Sequence, residues 1–64
     1  MVIARTLTVP EVYAWHRGQC VVYCVLGKKS HADRYRGLYD LHRACADALA
    51  PLVPAAQPIP EFDR

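Results

Sequence analysis

The sequence predicts an α+β fold: a three-stranded antiparallel meander covered on one face by a C-terminal helix. Residues 2–26 are rich in β-branched and aromatic side chains, which favour strands. The segment after Ser30 instead carries apolar residues at helical spacing. One helix packed on one sheet is a two-layer arrangement. We therefore expect a single domain over residues 1–52 and a Pro-rich C-terminal tail over residues 53–64.

Three apolar runs supply the predicted strands. Residues 2–9 form the first strand, which ends at Pro10. Residues 12–16 form the second and residues 20–26 the third, and the short Gly-containing segment between these two runs is typical of a hairpin turn.

A helix over residues 9–17 is the alternative. Thr8-Val9-Pro10-Glu11 matches a capping box, with proline in the first turn and glutamate at the third helical position. Gly18 would then end the helix, and the chain order would become β-α-β-α. The sequence leaves both possibilities open for these nine residues.

The helix after Ser30 has both start and stop signals. Ser30 can cap its N-terminus, Asp33 suits the first turn, and Pro51 ends it. Gly37 lies on the flank of the apolar side, where it would permit close approach to a strand. The apolar side carries Tyr35, Leu38, Leu41, His42, Cys45, Leu49 and Leu52. The opposite side carries Asp33, Arg36, Asp40, Arg43 and Asp47, whose alternating charges predict a solvated face.

Length and composition limit the class of protein. A chain of 64 residues buries only about 60% of its unfolded surface, so its stability often depends on a disulfide, a metal or a second copy. A hydrophobic fraction of 53% argues against disorder. The longest apolar run, residues 20–26, is far short of the ~20 residues that span a bilayer. An odd number of cysteines and no secretory leader predict a cytoplasmic protein.

A zinc site is the strongest chemical pattern in the sequence, and we reject it. Cys20-x3-Cys24 and His42-x2-Cys45 together supply four potential zinc ligands. In a strand, however, Cys20 and Cys24 lie ~13 Å apart, which is too far for one zinc ion or for a disulfide. We therefore expect no metal, no cofactor and reduced cysteines.

Catalytic equipment is also missing from the sequence. It has no Gly-rich phosphate loop and no paired carboxylates. His42 and Cys45 resemble a nucleophile pair, but no orienting group accompanies them, and a core histidine explains the pattern better. We expect a protein that is not an enzyme.

A protein partner is the leading expectation. Both faces of the predicted third strand are apolar, and one helix can cover only one of them. The other must meet a second copy, a partner protein or the tail. We expect the contact to involve Tyr13, Trp15 and Tyr23, because aromatic residues dominate interface hot spots, with Arg17 and Arg36 at the rim.

These expectations lead to a functional hypothesis. We expect the protein to be a small protein-binding module, either homodimeric or bound to another protein. Phages and mobile elements use modules of this kind, such as anti-CRISPR proteins, to block a host machine by steric occlusion. The alternative is a small DNA- or RNA-binding domain that uses basic loops. Its candidate residues are Arg17, Lys28, Lys29, Arg34 and Arg36.

Overall fold

A computed structural model describes residues 6–62 and shows a hairpin of two α-helices. Helix α1 spans Val9–Lys29, helix α2 spans Ala32–Leu49, and a short 3-10 turn follows at Ala50–Leu52. Residues 6–62 contain no strand. The predicted three-stranded meander is therefore wrong, and residues 2–5 of its first strand lie outside the described range.

Helix α1 begins with a complete capping box. The Thr8 hydroxyl accepts a hydrogen bond from the Glu11 N–H at 3.4 Å, and the Glu11 carboxylate accepts from the Thr8 N–H at 2.9 Å. Residues 9–17 are helical, but the helix continues through Gly18 and through residues 20–26. The β-α-β-α alternative is therefore wrong as well, because it makes residues 20–26 a strand.

Packing explains why a β-branched run is helical. Tyr13, Cys20 and Cys24 are buried, and their spacings of seven and four residues place them on one side of a helix. The intrinsic cost of a valine in a helix is at most about 0.7 kcal/mol, which the burial of this side offsets. Val21 and Val22 within the same run are exposed.

The connection between the helices differs from the predicted cap. Ser30 ends α1, donating its N–H to the Leu26 carbonyl at 3.2 Å, and does not cap α2. His31 precedes α2 in the left-handed conformation, with φ of 55°. Asp33 lies in the first turn as predicted. The expected close approach at Gly37 is wrong, because a Cβ added at this position would have no other side chain or segment within 4 Å.

The C-terminal tail packs onto the hairpin. Cys20, Cys24 and Tyr39 form the buried cluster, and Ile59 and Phe62 of the tail pack against it. A Cβ at Gly27 would lie 2.5 Å from the Phe62 ring, so the ring fits only because residue 27 has no side chain. The tail therefore covers one face of the hairpin.

Polar contacts reinforce this cover. Pro58 and Pro60 lack N–H donors, so this part of the tail mainly offers carbonyl acceptors. Side chains from both helices supply the donors: Tyr13 to Gln57, Arg17 to Pro58 at 2.9 Å, Tyr39 to Pro60, and Cys24 to Glu61 at 3.5 Å. All four bonds lie on the same face of the hairpin.

The charged side of α2 is only partly a solvated face. Arg36–Asp40 and Arg43–Asp47 form pairs at 4.0 Å and 3.6 Å along the helix. Arg43 also pairs with Glu61 at 3.0 Å, and thus joins the helix to the tail. The charge pattern therefore has a structural use that the sequence did not reveal.

Candidate functional site

The side of the hairpin opposite the tail is the candidate site, and we call it the uncovered face. Its position follows from the tail contacts and from the turn of ~100° per residue in each helix. The α1 members are Val12, Trp15, Gln19, Val22 and Leu26. The α2 members are Leu38, Leu41, His42, Cys45 and Leu49.

Both helices present this face with heptad spacing. In α1 the members follow each other in steps of three, four, three and four residues. In α2, Leu38, His42, Cys45 and Leu49 follow in steps of four, three and four. This alternation is the signature of a seam that packs against another helix. None of the ten members is Asp, Glu, Lys or Arg.

Large apolar side chains on this face remain accessible to solvent. Trp15 is 55% exposed, Val22 45%, Leu38 39% and Leu41 59%. Scattered apolar side chains are ordinary on protein surfaces, whereas contiguous patches mark interaction sites. The four residues come from both helices and share the uncovered face, so this face is the candidate interaction surface.

A cluster of aromatic rings joins Trp15 and His42 of this face to Tyr23 and Tyr35. The Trp15 ring meets His42 edge to face, with centroids 5.3 Å apart. Tyr23 stacks on His42 at 5.7 Å and on Tyr35 at 5.9 Å. These contacts hold the indole of Trp15 in place while half of it remains exposed. A partner would therefore meet a pre-ordered surface.

A pair of histidines lies beneath Trp15. The Nδ1 atoms of His16 and His42 are 2.9 Å apart, so one ring donates its N–H to the other. Burial, and then the charge of His42, lower the pKa of His16. The fold therefore favours the neutral ring of His16, because burial disfavours its charged form.

The predicted partner-binding residues do not lie together. Trp15 is on the uncovered face and Tyr23 is in the ring cluster. Tyr13 is only 5% exposed and lies on the other side of α1, under the tail. The expected shared face of Tyr13 and Trp15 is wrong, because side chains two positions apart in a helix point ~200° apart around its axis.

The two predicted rim arginines also lie away from the uncovered face. Arg17 binds the Pro58 carbonyl of the tail, and Arg36 pairs with Asp40 with its guanidinium 5.8 Å from the Phe62 ring centroid. Sequence reasoning missed Val22, Leu38 and Leu41 as site residues. The heptad steps of α1, from residue 12 to residue 26, were the signal that could have identified the surface.

The basic residues proposed for nucleic acid are divided by the fold. Lys28, Lys29 and Arg34 lie around the connection between the helices and are exposed. Arg17 and Arg36 instead contact the tail, on the side of the hairpin. Arg17 is therefore separated from the basic residues around the connection, whereas the Phe62 ring that Arg36 contacts lies against Gly27, next to Lys28.

The cysteine pattern has a packing role. In a helix Cys20 and Cys24 lie one turn apart, so the predicted separation of ~13 Å is wrong. The thiol of Cys20 donates to the Tyr39 carbonyl at 3.9 Å, and burial raises the pKa of this thiol. Residues 6–62 contain no group of three or more His, Cys, Asp or Glu side chains arranged to hold a metal ion.

A shallow groove of about 310 Å³ lies between α1 and the tail. Two of its polar side chains, Tyr13 and Arg17, already bind tail carbonyls. Its lining consists of Pro10, Tyr13, Ala14, Arg17, Val53, Ala55, Ala56 and Gln57. The groove is therefore a by-product of the way the tail is attached.

Comparison with known proteins adds no assignment. Within residues 6–62, neither helix is both long and apolar enough to cross a membrane. No protein-family model matches the chain, and no curated protein or solved structure shows significant similarity to it.

Proposed function

We propose that this protein is a non-enzymatic protein-binding module that docks its uncovered face against a helical surface. The observation that carries the proposal is the heptad spacing on both helices of a face that residues 6–62 leave open. Trp15 is the central contact, because a large ring that is half exposed and held by neighbours loses little entropy on binding.

Steric occlusion is the action that suits such a module. The hairpin is 35 × 33 × 14 Å in extent, so it can lie flat on a partner and cover one of its surfaces. This is the mode of action of a phage or mobile-element inhibitor, including the anti-CRISPR class. Buried thiols such as Cys20 suit the reducing cytoplasm, where we place the activity.

Two adjacent valines provide the test of this proposal. Val22 lies on the uncovered face, whereas Val21 points away from it, and the two are 45% and 38% exposed. A photo-reactive benzoylphenylalanine is placed at one position or the other, and cells of the native host are irradiated. We expect a discrete protein adduct from position 22 and none from position 21.

Two outcomes contradict the proposal. Equal adducts from positions 21 and 22 would mean that the face has no special role. If neither position 22 nor position 41, where Leu41 lies on the same face, gives an adduct, the face meets no protein. A nuclease-sensitive complex whose affinity falls steeply with salt would instead favour the nucleic-acid alternative. In that case the exposed residues Lys28, Lys29 and Arg34 would be the first to substitute.

A further inference from the structure

We infer that the occupant of the uncovered face is a second copy of this chain, and that the two hairpins form a four-helix bundle. The inference rests on the proposed function, since it identifies the helical surface against which the same face docks. In the dimer, steric occlusion of a host machine is then performed by the outer surfaces of the bundle. A bundle of two hairpins buries the heptad seams against each other, whereas each tail remains on the outside. The geometry and composition of the face support this occupant in three steps.

The first step is the small size of the core. Among residues 6–62 the buried side chains are Tyr13, Cys20, Cys24, Tyr39 and Ala46, and only Cys20 and Ala46 are fully inaccessible. Chains of this length often need a staple or a second copy for stability. The cysteines are thiols, so no disulfide supplies the staple, and a second hairpin is present wherever the chain is made.

The second step is the area of the face. A helix of 18 residues is about 27 Å long, and two helices side by side are about 18–20 Å across. The projected area of the face is therefore about 500 Å², and the accessible area of a ridged helical surface is larger. Stable interfaces bury about 800 Å² from each partner, which is of the same order as the area of one such face.

The third step is self-complementarity. A two-fold axis brings identical surfaces together, so like charges on the surface would oppose each other. The ten members of the uncovered face carry no formal charge. Lys29 and Arg34, which continue its heptads, lie at the helix connection, and an antiparallel two-fold arrangement of the hairpins keeps these like charges at opposite ends of the bundle. The tail cannot cover this face, because residues 57–62 already bind the other side of the hairpin.

Sedimentation equilibrium of the full chain tests the inference. We expect the wild type to sediment at twice its 7.2 kDa chain mass at micromolar concentrations. Val22→Glu and Leu41→Glu introduce a charge on the face and should weaken dimerisation by at least about tenfold, as uncompensated buried charges do. Val21→Glu, the matched control, should remain dimeric.

A single-chain mass for the wild type with intact helicity by circular dichroism would overturn the inference, as would dissociation by Val21→Glu but not by Val22→Glu. If a glutamate variant fails to fold, the purified protein with benzoylphenylalanine at position 41 replaces it, and the expected product is a two-chain adduct. A monomeric wild type that still forms an adduct with another protein in cells rejects only the second copy. No adduct in either setting rejects the proposed function as well.

Discussion

At the residue scale, the His16–His42 pair joins the two helices beneath the exposed Trp15. The hydrogen bond between the two Nδ1 atoms requires one ring to act as donor and the other as acceptor. Protonation of both rings would leave two donors facing each other. The pair therefore ties the geometry of the uncovered face to the protonation state of its histidines.

Stability should fall as the pH drops below about 6.5. The pKa of His16 is lower in the folded chain than its ordinary value of about 6.5. The stability that His16 contributes is therefore complete above its ordinary pKa. It is lost as the pH falls through the lowered pKa of the folded chain. Urea unfolding at pH 7.5, 6.5 and 5.5 measures this loss. His16→Phe should flatten the profile, because the titrating ring is gone.

His31→Asn is the control for this experiment. His31 is exposed at the helix connection, and asparagine tolerates its left-handed backbone. The variant removes a histidine outside the His16–His42 pair, so a flattened profile in this variant would contradict the assignment of the pH dependence to the pair. Glu61, whose pKa is lowered by Arg43, loses its contribution only at pH values below its ordinary pKa, outside the measured range. An equal slope for His16→Phe and the wild type would show that the pair does not titrate with folding.

Tyr39 is the residue where the tail, α1 and α2 meet. Its hydroxyl donates to the Pro60 carbonyl and accepts from Arg43 at 2.8 Å, and the side chain is only 2% exposed. We expect Tyr39→Phe to lower the free energy of unfolding by about 1–3 kcal/mol, because it leaves polar partners unsatisfied. Tyr35→Phe keeps its ring stacking and should change stability by less than about 0.5 kcal/mol. Similar values for both would mean that the hydroxyl of Tyr39 does not hold the tail.

At the scale of elements, α1 serves two surfaces at once. One side, with Tyr13, Cys20 and Cys24, carries the core and the tail. The opposite side carries the heptad members of the uncovered face. A helix that is apolar on more than one side is expected where it packs against two layers, and the proposed second copy would supply the layer on the uncovered side.

The three glycines allow the tail contact to be tested within the helices. Gly18 and Gly37 have nothing within 4 Å of a built Cβ, so alanine at either should stabilise the chain by about 0.5–1 kcal/mol. Gly27→Ala has the same helical benefit but displaces the Phe62 ring. We expect it to be about 1–3 kcal/mol less stable than Gly18→Ala in thermal or urea unfolding. Equal gains at all three positions would mean that Phe62 does not dock on α1.

The sequence predicted α2 well because its signals agree. Asp33 in the first turn, an apolar side at helical spacing and Pro51 after the end all indicate the same element. The capping box at Thr8 also identified the start of α1. The β-branched and aromatic run between Cys20 and Cys24 outweighed this signal in the prediction. A short apolar run of this kind fits a strand and a helix equally well.

The candidate site was predicted only in part for the same reason. Trp15 lies on the open surface as expected, but Tyr13 was assigned to the same side because the prediction used a period of two. The role of Arg17 and Arg43 in holding the tail depends on contacts across more than 17 residues, which local patterns do not encode. Long-range packing therefore decided what local propensity could not.

At the scale of the whole molecule, the chain is a slab with two different faces. The tail covers one face, and the rings and aliphatic side chains of both helices form the other. The molecule is only 14 Å thick in its smallest dimension, which leaves little interior. A second layer of helices would convert this open slab into an ordinary two-layer bundle.

The most direct measurement uses Trp15, the single tryptophan of the chain, as a reporter on the uncovered face. Its emission and its quenching by acrylamide are followed across a dilution series, while light scattering gives the mass of the particle. We predict that blue-shifted and protected emission at high concentration becomes red-shifted and quenchable on dilution, in step with the change from two chains to one. A two-chain particle whose Trp15 stays as quenchable as in the single chain would contradict the central claim, because the dimer would then form through another surface.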